Sequence, residues 1–272
     1  MTVTPVIARE LQAQARQAST YWLRVLGAGA LVLVLALPLR LAQPRLFSPD
    51  MGPVLFWLLN RFFFWAIWLA VPVLTADCIS REKREETLGL LFLTPLTGRD
   101  IALAKSAIHA LRALSFWAAA APVLVVPLLM GGITAGDVFF SVLADGRALL
   151  LALAAGLFAS AWCREWNRAL LLALILSLSF AVGFHALDAF YVGRFRLGLS
   201  GTFLGLPIGR RLPRQLAGFY RGTAGGSALD EAWVDAGETG LALLAAVLAV
   251  LLAARRIESG WQDKERTARQ QW

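Results

Sequence analysis

Six apolar runs of 17 to 25 residues, nearly free of charge, dominate this 272-residue chain. They are Tyr21–Leu39, Pro53–Ala76, Ser106–Met130, Val138–Trp162, Ala169–Ala186 and Glu238–Ala254. At about 1.5 Å of rise per residue, some 20 helical residues cross the roughly 30 Å of bilayer hydrocarbon. A soluble core does not require repeated runs of that length. The expected fold is therefore all-α integral membrane, with six transmembrane helices in a single domain over residues 1–272. Apolar residues reach 58%, above the roughly 45–50% of soluble domains.

The segments between the runs complete the layout. In residues 1–20, Val6, Ile7, Leu11, Ala15 and Ala18 recur at helical spacing among Arg9, Glu10, Gln12 and Arg16. That pattern predicts an amphipathic helix lying in the membrane interface. Residues 77–105 form a charged loop, 189–236 a long polar loop with six arginines, and 255–272 a polar tail. Asp145-Gly146-Arg147 interrupts the fourth run, which leaves room for a separate short helix before the glycine. An even number of spans puts both termini on one side. That side carries fifteen Lys and Arg and the other eight, so the positive-inside rule places the termini and the 77–105 loop in the cytoplasm. The formal net charge of +8 sits at the ends of apolar runs, without a basic face interleaved with aromatics. Anionic lipid headgroups are the expected counterpart, and nucleic acid is not.

The 77–105 loop is the most polar and the most patterned part of the chain. Acids and bases alternate from Arg81 to Glu86, an apolar patch follows (Leu88, Leu90, Leu91, Phe92, Leu93), and Thr94-Pro95 ends it. Thr97 and Asp100 have the spacing of an N-cap and its N3 partner. Two short helical pieces separated by a proline break are expected ahead of the third span. A solvated loop accounts for the charges; it does not account for an apolar patch, which fits a docking surface for another protein.

The run Glu85-Glu86-Thr87-Leu88-Gly89-Leu90-Leu91-Phe92-Leu93-Thr94-Pro95-Leu96-Thr97-Gly98-Arg99-Asp100-Ile101, with Lys105, resembles the first cytoplasmic loop of ABC-2 type transporter permeases. In that family an acidic run leads through Gly-Thr-Leu to Thr-Pro-Leu-Ser/Thr, then to a lysine entering the third membrane helix. Here Glu86 stands where glycine is usual and Gly89 where an acid is usual. The start, Pro5-Val6-Ile7 with Arg9-Glu10-Leu11, is similar to the N-terminal segment of one branch of the family. The resemblance implies a coupling loop seated on a separate ATP-binding subunit, through Glu85, Glu86, Thr87, Leu88, Leu91, Phe92, Thr94, Pro95, Thr97 and Arg99. It also implies a second permease chain, the same or related, a bacterial inner-membrane location and export as the usual direction.

The remaining chemistry is sparse. No lysine follows a glycine, so a phosphate-cradling P-loop is absent and ATP hydrolysis is expected on another chain. Neither HExxH nor GxSxG occurs, and His109, His185, Cys78 and Cys163 are too scattered to form a ligand cluster. No cofactor or metal is expected. His109 and Arg112, in the first turns of the third span, are expected to stay hydrated. The Trp and Phe bands of the second span are expected as interface belts and lipid-facing bulk. Arg61 and Asp145 are the charges inside spans, at matching depth, and are expected either to pair across the bundle or to reach water separately. An ATP-independent membrane scaffold that recruits a cytoplasmic partner is the alternative reading. An intramembrane enzyme would need convergent acids, His or Ser, which the spans do not supply.

Overall fold

The computed structural model describes residues 18–41, 51–85, 87, 97–131, 133, 135–195 and 228–260. Among them every regular element is a helix: α1 Ala18–Leu41, α2 Met51–Thr75, α3 Ser80–Arg84, α4 Gly98–Leu129, α5 Ala135–Trp162, α6 Trp166–Phe195 and α7 Ala228–Gly260. Among the described residues five stretches are long and apolar enough to cross a membrane: Gly52–Arg84, Gly98–Leu129, Val138–Trp162, Trp166–Gly183 and Ala236–Ser259. A shorter apolar helix covers Arg24–Leu37 within α1. The described residues are thus all-helical, and the chain is multi-pass by length and composition.

Helix α5 is the hub. It packs along α7, α6 and α2, while α1 lies against α4 and α2. Its sequence explains the position. Ala148, Ala152, Ala155, Gly156, Ala159 and Ser160 are all buried and all small. In lipid, where apolar surface alone does not drive helices together, small residues admit close backbone approach. At Gly156 an added Cβ would stand 1.7 Å from Thr75 Oγ1, so only glycine fits the α2–α5 crossing.

Helix α2 supplies the bulk that the small residues receive. Leu59, Phe63, Ile67 and Val71 recur every four residues along one face and are almost fully buried against Ala148, Leu151 and Ala152. The hydrophobic window of α2 is 56% buried, against 19% for α4. This corrects the expectation for its aromatics. Phe56, Phe63, Phe64 and Trp68 lie inside the bundle, Trp65 is half-buried, and Trp57 and Phe62 are exposed. An aromatic-rich helix surrounded by Ala-rich neighbours fills the volume those neighbours leave.

The helices overrun their apolar runs. Helix α6 continues to Phe195 and α7 begins at Ala228, so the polar loop expected over 189–236 is shorter at both ends. Likewise α7 runs to Gly260, past the expected start of the tail, and residues 18–20 belong to α1 rather than to the interfacial segment. Apolar periodicity marks the part in hydrocarbon, while Ala, Leu, Glu and Arg continue the helical ladder into polar surroundings. The rest of the interfacial segment, residues 1–17, lies outside the described residues. Gly146 does not break α5; a glycine inside a packed membrane helix is held by its neighbours. The turn after α4 uses Gly131 at φ +86, the left-handed position that favours glycine at a helix end.

Candidate functional site: the charged elbow at the end of α2

Asp77 to Lys105 joins α2 to α4, and its described parts are held tightly. The start of α3 is capped from another helix. Ser160 Oγ of α5 accepts from the backbone N–H groups of Ile79 at 2.7 Å and Ser80 at 2.9 Å. These are first-turn donors that a helix of five residues cannot satisfy internally. Lys83 Nζ donates to the Ala161 carbonyl of α5. Two adjacent residues of α5 therefore hold both ends of α3.

Charges finish the clamp. Arg84 donates to both oxygens of Asp77, at 2.7 and 3.0 Å, and Ser80 Oγ donates to the same carboxylate at 2.8 Å. Lys105, about two turns past the start of α4, pairs with Glu82 at 2.6 Å with both side chains largely covered. Beneath them Cys78, Ile79, Ile101, Ala102, Leu157 and Ile257 form an apolar cluster joining α3 to α4, α5 and α7. At Gly98 an added Cβ would meet Glu258 Cγ at 2.4 Å and the Ala254 carbonyl at 3.0 Å. The start of α4 is thus seated against the end of α7.

Thr97 and Asp100 form the expected capping box. Thr97 N–H donates to Asp100 Oδ2 at 2.9 Å, and Thr97 Oγ1 accepts from Asp100 N–H at 3.3 Å. The second short helical piece, however, is not separate. Thr97 caps the 32-residue α4 itself, because nothing after Asp100 interrupts its backbone ladder. Of the predicted docking residues, Thr97 and Arg99 stand exposed and Glu85 is exposed in a pair with Arg81. Thr87 is half-buried, its N–H bonded to the Glu82 carbonyl. Glu86, Leu88, Leu91, Phe92, Thr94 and Pro95 lie outside the described residues.

A second polar group lies deep in the bundle, in the first half of α5. Asp145 is 1% exposed. Arg61 is half-buried, its guanidinium 5.9 Å from the Trp57 ring centre. Asn60 of α2 accepts from the Ser141 hydroxyl of α5, which sets these segments at one level. Arg147 pairs with Glu238 of α7 at 3.1 Å, with both side chains about nine-tenths covered. The sequence reading missed this pair. Glu238 marks the edge of the last apolar run and Arg147 sits beside a glycine, so neither had a visible partner. His109 is also buried, not hydrated as expected, because its ring turns to the Leu74 carbonyl of α2, which packs against α4.

Among the described residues no three His, Cys, Asp or Glu side chains gather at a point that could hold a metal ion. Cys78 and Cys163 are free thiols. No protein-family model matches the chain, and no curated protein matches it.

Proposed function

We propose that this chain is the membrane-spanning subunit of an ABC-2 type transporter, with α1 as the first of six spans. Both termini and the charged elbow face the cytoplasm of a bacterial inner membrane. Two such chains, identical or related, form the pathway. A separate ATP-binding subunit docks on the elbow through the Glu85–Thr97 segment, and export is the direction of transport. One observation supports this reading: the described residues on either side of the permease-like run are clamped to the helices a stroke would have to move. Force applied between α3 and α4 passes through Ser160 and Ala161 into α5, and through Gly98 into α7. A recruiting scaffold needs an exposed segment but not that clamp.

In the same reading Arg61 and Asp145 pair within the bundle, since a charge at that depth is costly alone. An Arg61→Ala variant that folds and transports like the parent would contradict the pairing. The function is tested by purifying the full-length chain from its own cells and assaying the eluate for ATP hydrolysis. A P-loop ATPase should co-elute and hydrolyse ATP, and both should be lost when Leu88 and Leu91 are changed to Asp. An ATP-independent scaffold would bring down its partner without nucleotide-dependent behaviour.

A further inference from the structure

Two arginines meet where α1 lies against α4, and neither is paired with an acid. Arg24 of α1 is exposed, and its Nε donates to the Ser115 hydroxyl of α4 at 3.1 Å. Ser115 in turn donates to the carbonyl of Arg112, one turn back, at 2.7 Å. These bonds bring the Arg24 guanidinium to the turn of α4 next to Arg112. The helices approach closely here: a Cβ added at Gly27 would stand 2.3 Å from the Phe116 ring. Arg112 is half-buried. Its Nε is enclosed without an acceptor, while its two terminal nitrogens are open and donate to nothing among the described residues. The described acids of the elbow are already engaged: Asp77 with Arg84, Glu82 with Lys105, Glu85 with Arg81, and Asp100 in the Thr97 cap. Two like charges on adjoining turns repel each other, and at a membrane edge they call for an anion.

Depth and neighbours identify the kind of anion. From Arg24 to the end of α1 at Leu41, and from Arg112 to the end of α4 at Leu129, the helices run seventeen residues each. That is about 26 Å of rise, against roughly 30 Å of hydrocarbon. Both arginines therefore stand near the elbow-side edge of the hydrocarbon, where lipid headgroups begin. Tyr21 and Trp22, one turn earlier on α1, are 64% and 57% exposed, as interface aromatics are. Leu26 of α1 and Leu111 and Leu114 of α4 flank the pair, also exposed. A water-soluble anion would leave those leucines bare, whereas a lipid brings acyl chains to cover them. A zwitterionic phospholipid carries its own cation to the arginines; a net-anionic one does not.

We propose that Arg24 and Arg112 together bind the phosphodiester of an anionic phospholipid in the elbow-side leaflet. The terminal nitrogens of both guanidiniums donate to the phosphate oxygens, a geometry arginine suits better than lysine. The acyl chains lie along the exposed leucines of α1 and α4. The lipid thereby ties α1 to α4 at the end where Arg24 and Ser115 already join them. The site rests on the chain spanning a bilayer and not on the transporter reading, so the two can fail separately.

The test uses the full-length chain in nanodiscs of equal phosphatidylglycerol and phosphatidylcholine with matched acyl chains. Native mass spectrometry counts the lipids retained when the protein is released. One phosphatidylglycerol should be preferred about thirtyfold over phosphatidylcholine, the combined worth of two arginines facing an anionic headgroup. Arg24→Gln and Arg112→Gln should each lower that preference about fivefold. Arg24 is exposed, so its variant decides the matter should Arg112→Gln fail to fold. Arg255, exposed on the same side at the end of α7, is the control for diffuse attraction, and Arg255→Gln should leave the preference unchanged. Excess soluble glycerophosphoglycerol should not displace the lipid. A preference untouched by Arg24→Gln, an equal loss in Arg255→Gln, or displacement by the soluble headgroup would overturn the proposal. So would binding seen only in Glu10→Gln, which would make that carboxylate the occupant.

Discussion

The two ends of α5 solve the same problem differently. In its first half the polar contacts join side chains to side chains, Ser141 to Asn60 and Arg147 to Glu238, deep in the bundle. In its last turns the contacts join α5 to the backbone or to a long flexible side chain, with Ser160 taking two N–H groups and Ala161 taking Lys83. A buried charge pair fixes which helices meet, and it is costly to break because either partner alone is stranded. A hydroxyl that caps a neighbour's backbone instead makes two elements move as one while adding little charge. The first half of α5 is therefore a lock within the bundle. Its last turns are a joint that ties α3 to the bundle.

The largest effect should come from the lock. Glu238→Ala removes a carboxylate from Arg147 and should cost about 3 kcal/mol, read as lowered resistance to unfolding in mixed micelles. Exchanging both residues for Met should recover most of that loss. If the single variant is neutral, the pair is not a lock. Gly156→Leu should be nearly as harmful, since the side chain must displace Thr75; an overpacked site costs about 1–3 kcal/mol. Its signature differs: the α2–α5 crossing opens, so exchange of Thr75 and its neighbours accelerates.

Breaking the joint should cost less globally and more locally. Ser160→Ala removes the acceptor of two N–H groups, but the five-residue α3 can fray and hydrate them, so the global cost should be about 1–2 kcal/mol. Hydrogen exchange should quicken at residues 79–85 and stay slow at residues 141–150. Faster exchange spread evenly over α5 would mean that its two ends are not distinct. Smallest of all, Arg81→Ala removes an exposed i,i+4 pair with Glu85 and should change stability by no more than about 0.5 kcal/mol. A larger loss would show that the exposed face of α3 is structural, leaving less of it for a partner.

What could be read from the chain followed the range of the interaction. Thr97 and Asp100 are three residues apart, and a cap depends on nothing else, so the helix start was legible. The apolar runs were legible because crossing a bilayer imposes length on each separately. The Arg147–Glu238 pair joins positions 91 residues apart, and nothing near either one announces the other. Ser160 was hidden for a related reason, being one small residue among many in a span. Its role comes from the neighbour it caps. The aromatics of α2 misled because composition gives no direction, and whether a Phe faces lipid or protein depends on which helix surrounds which. His109 was misplaced likewise: its distance from the helix start was right, but its ring turns inward to α2.

The elbow as an entry point for force is tested most directly by a cysteine at Thr87, in a chain with Cys78 and Cys163 replaced by alanine. An impermeant maleimide should modify it in inside-out membrane vesicles, not in right-side-out ones, and a co-purified ATP-binding subunit should shield it. Modification from the outer face, or labelling unchanged by the companion subunit, would contradict a role for this elbow as the receiver of an ATP-driven stroke.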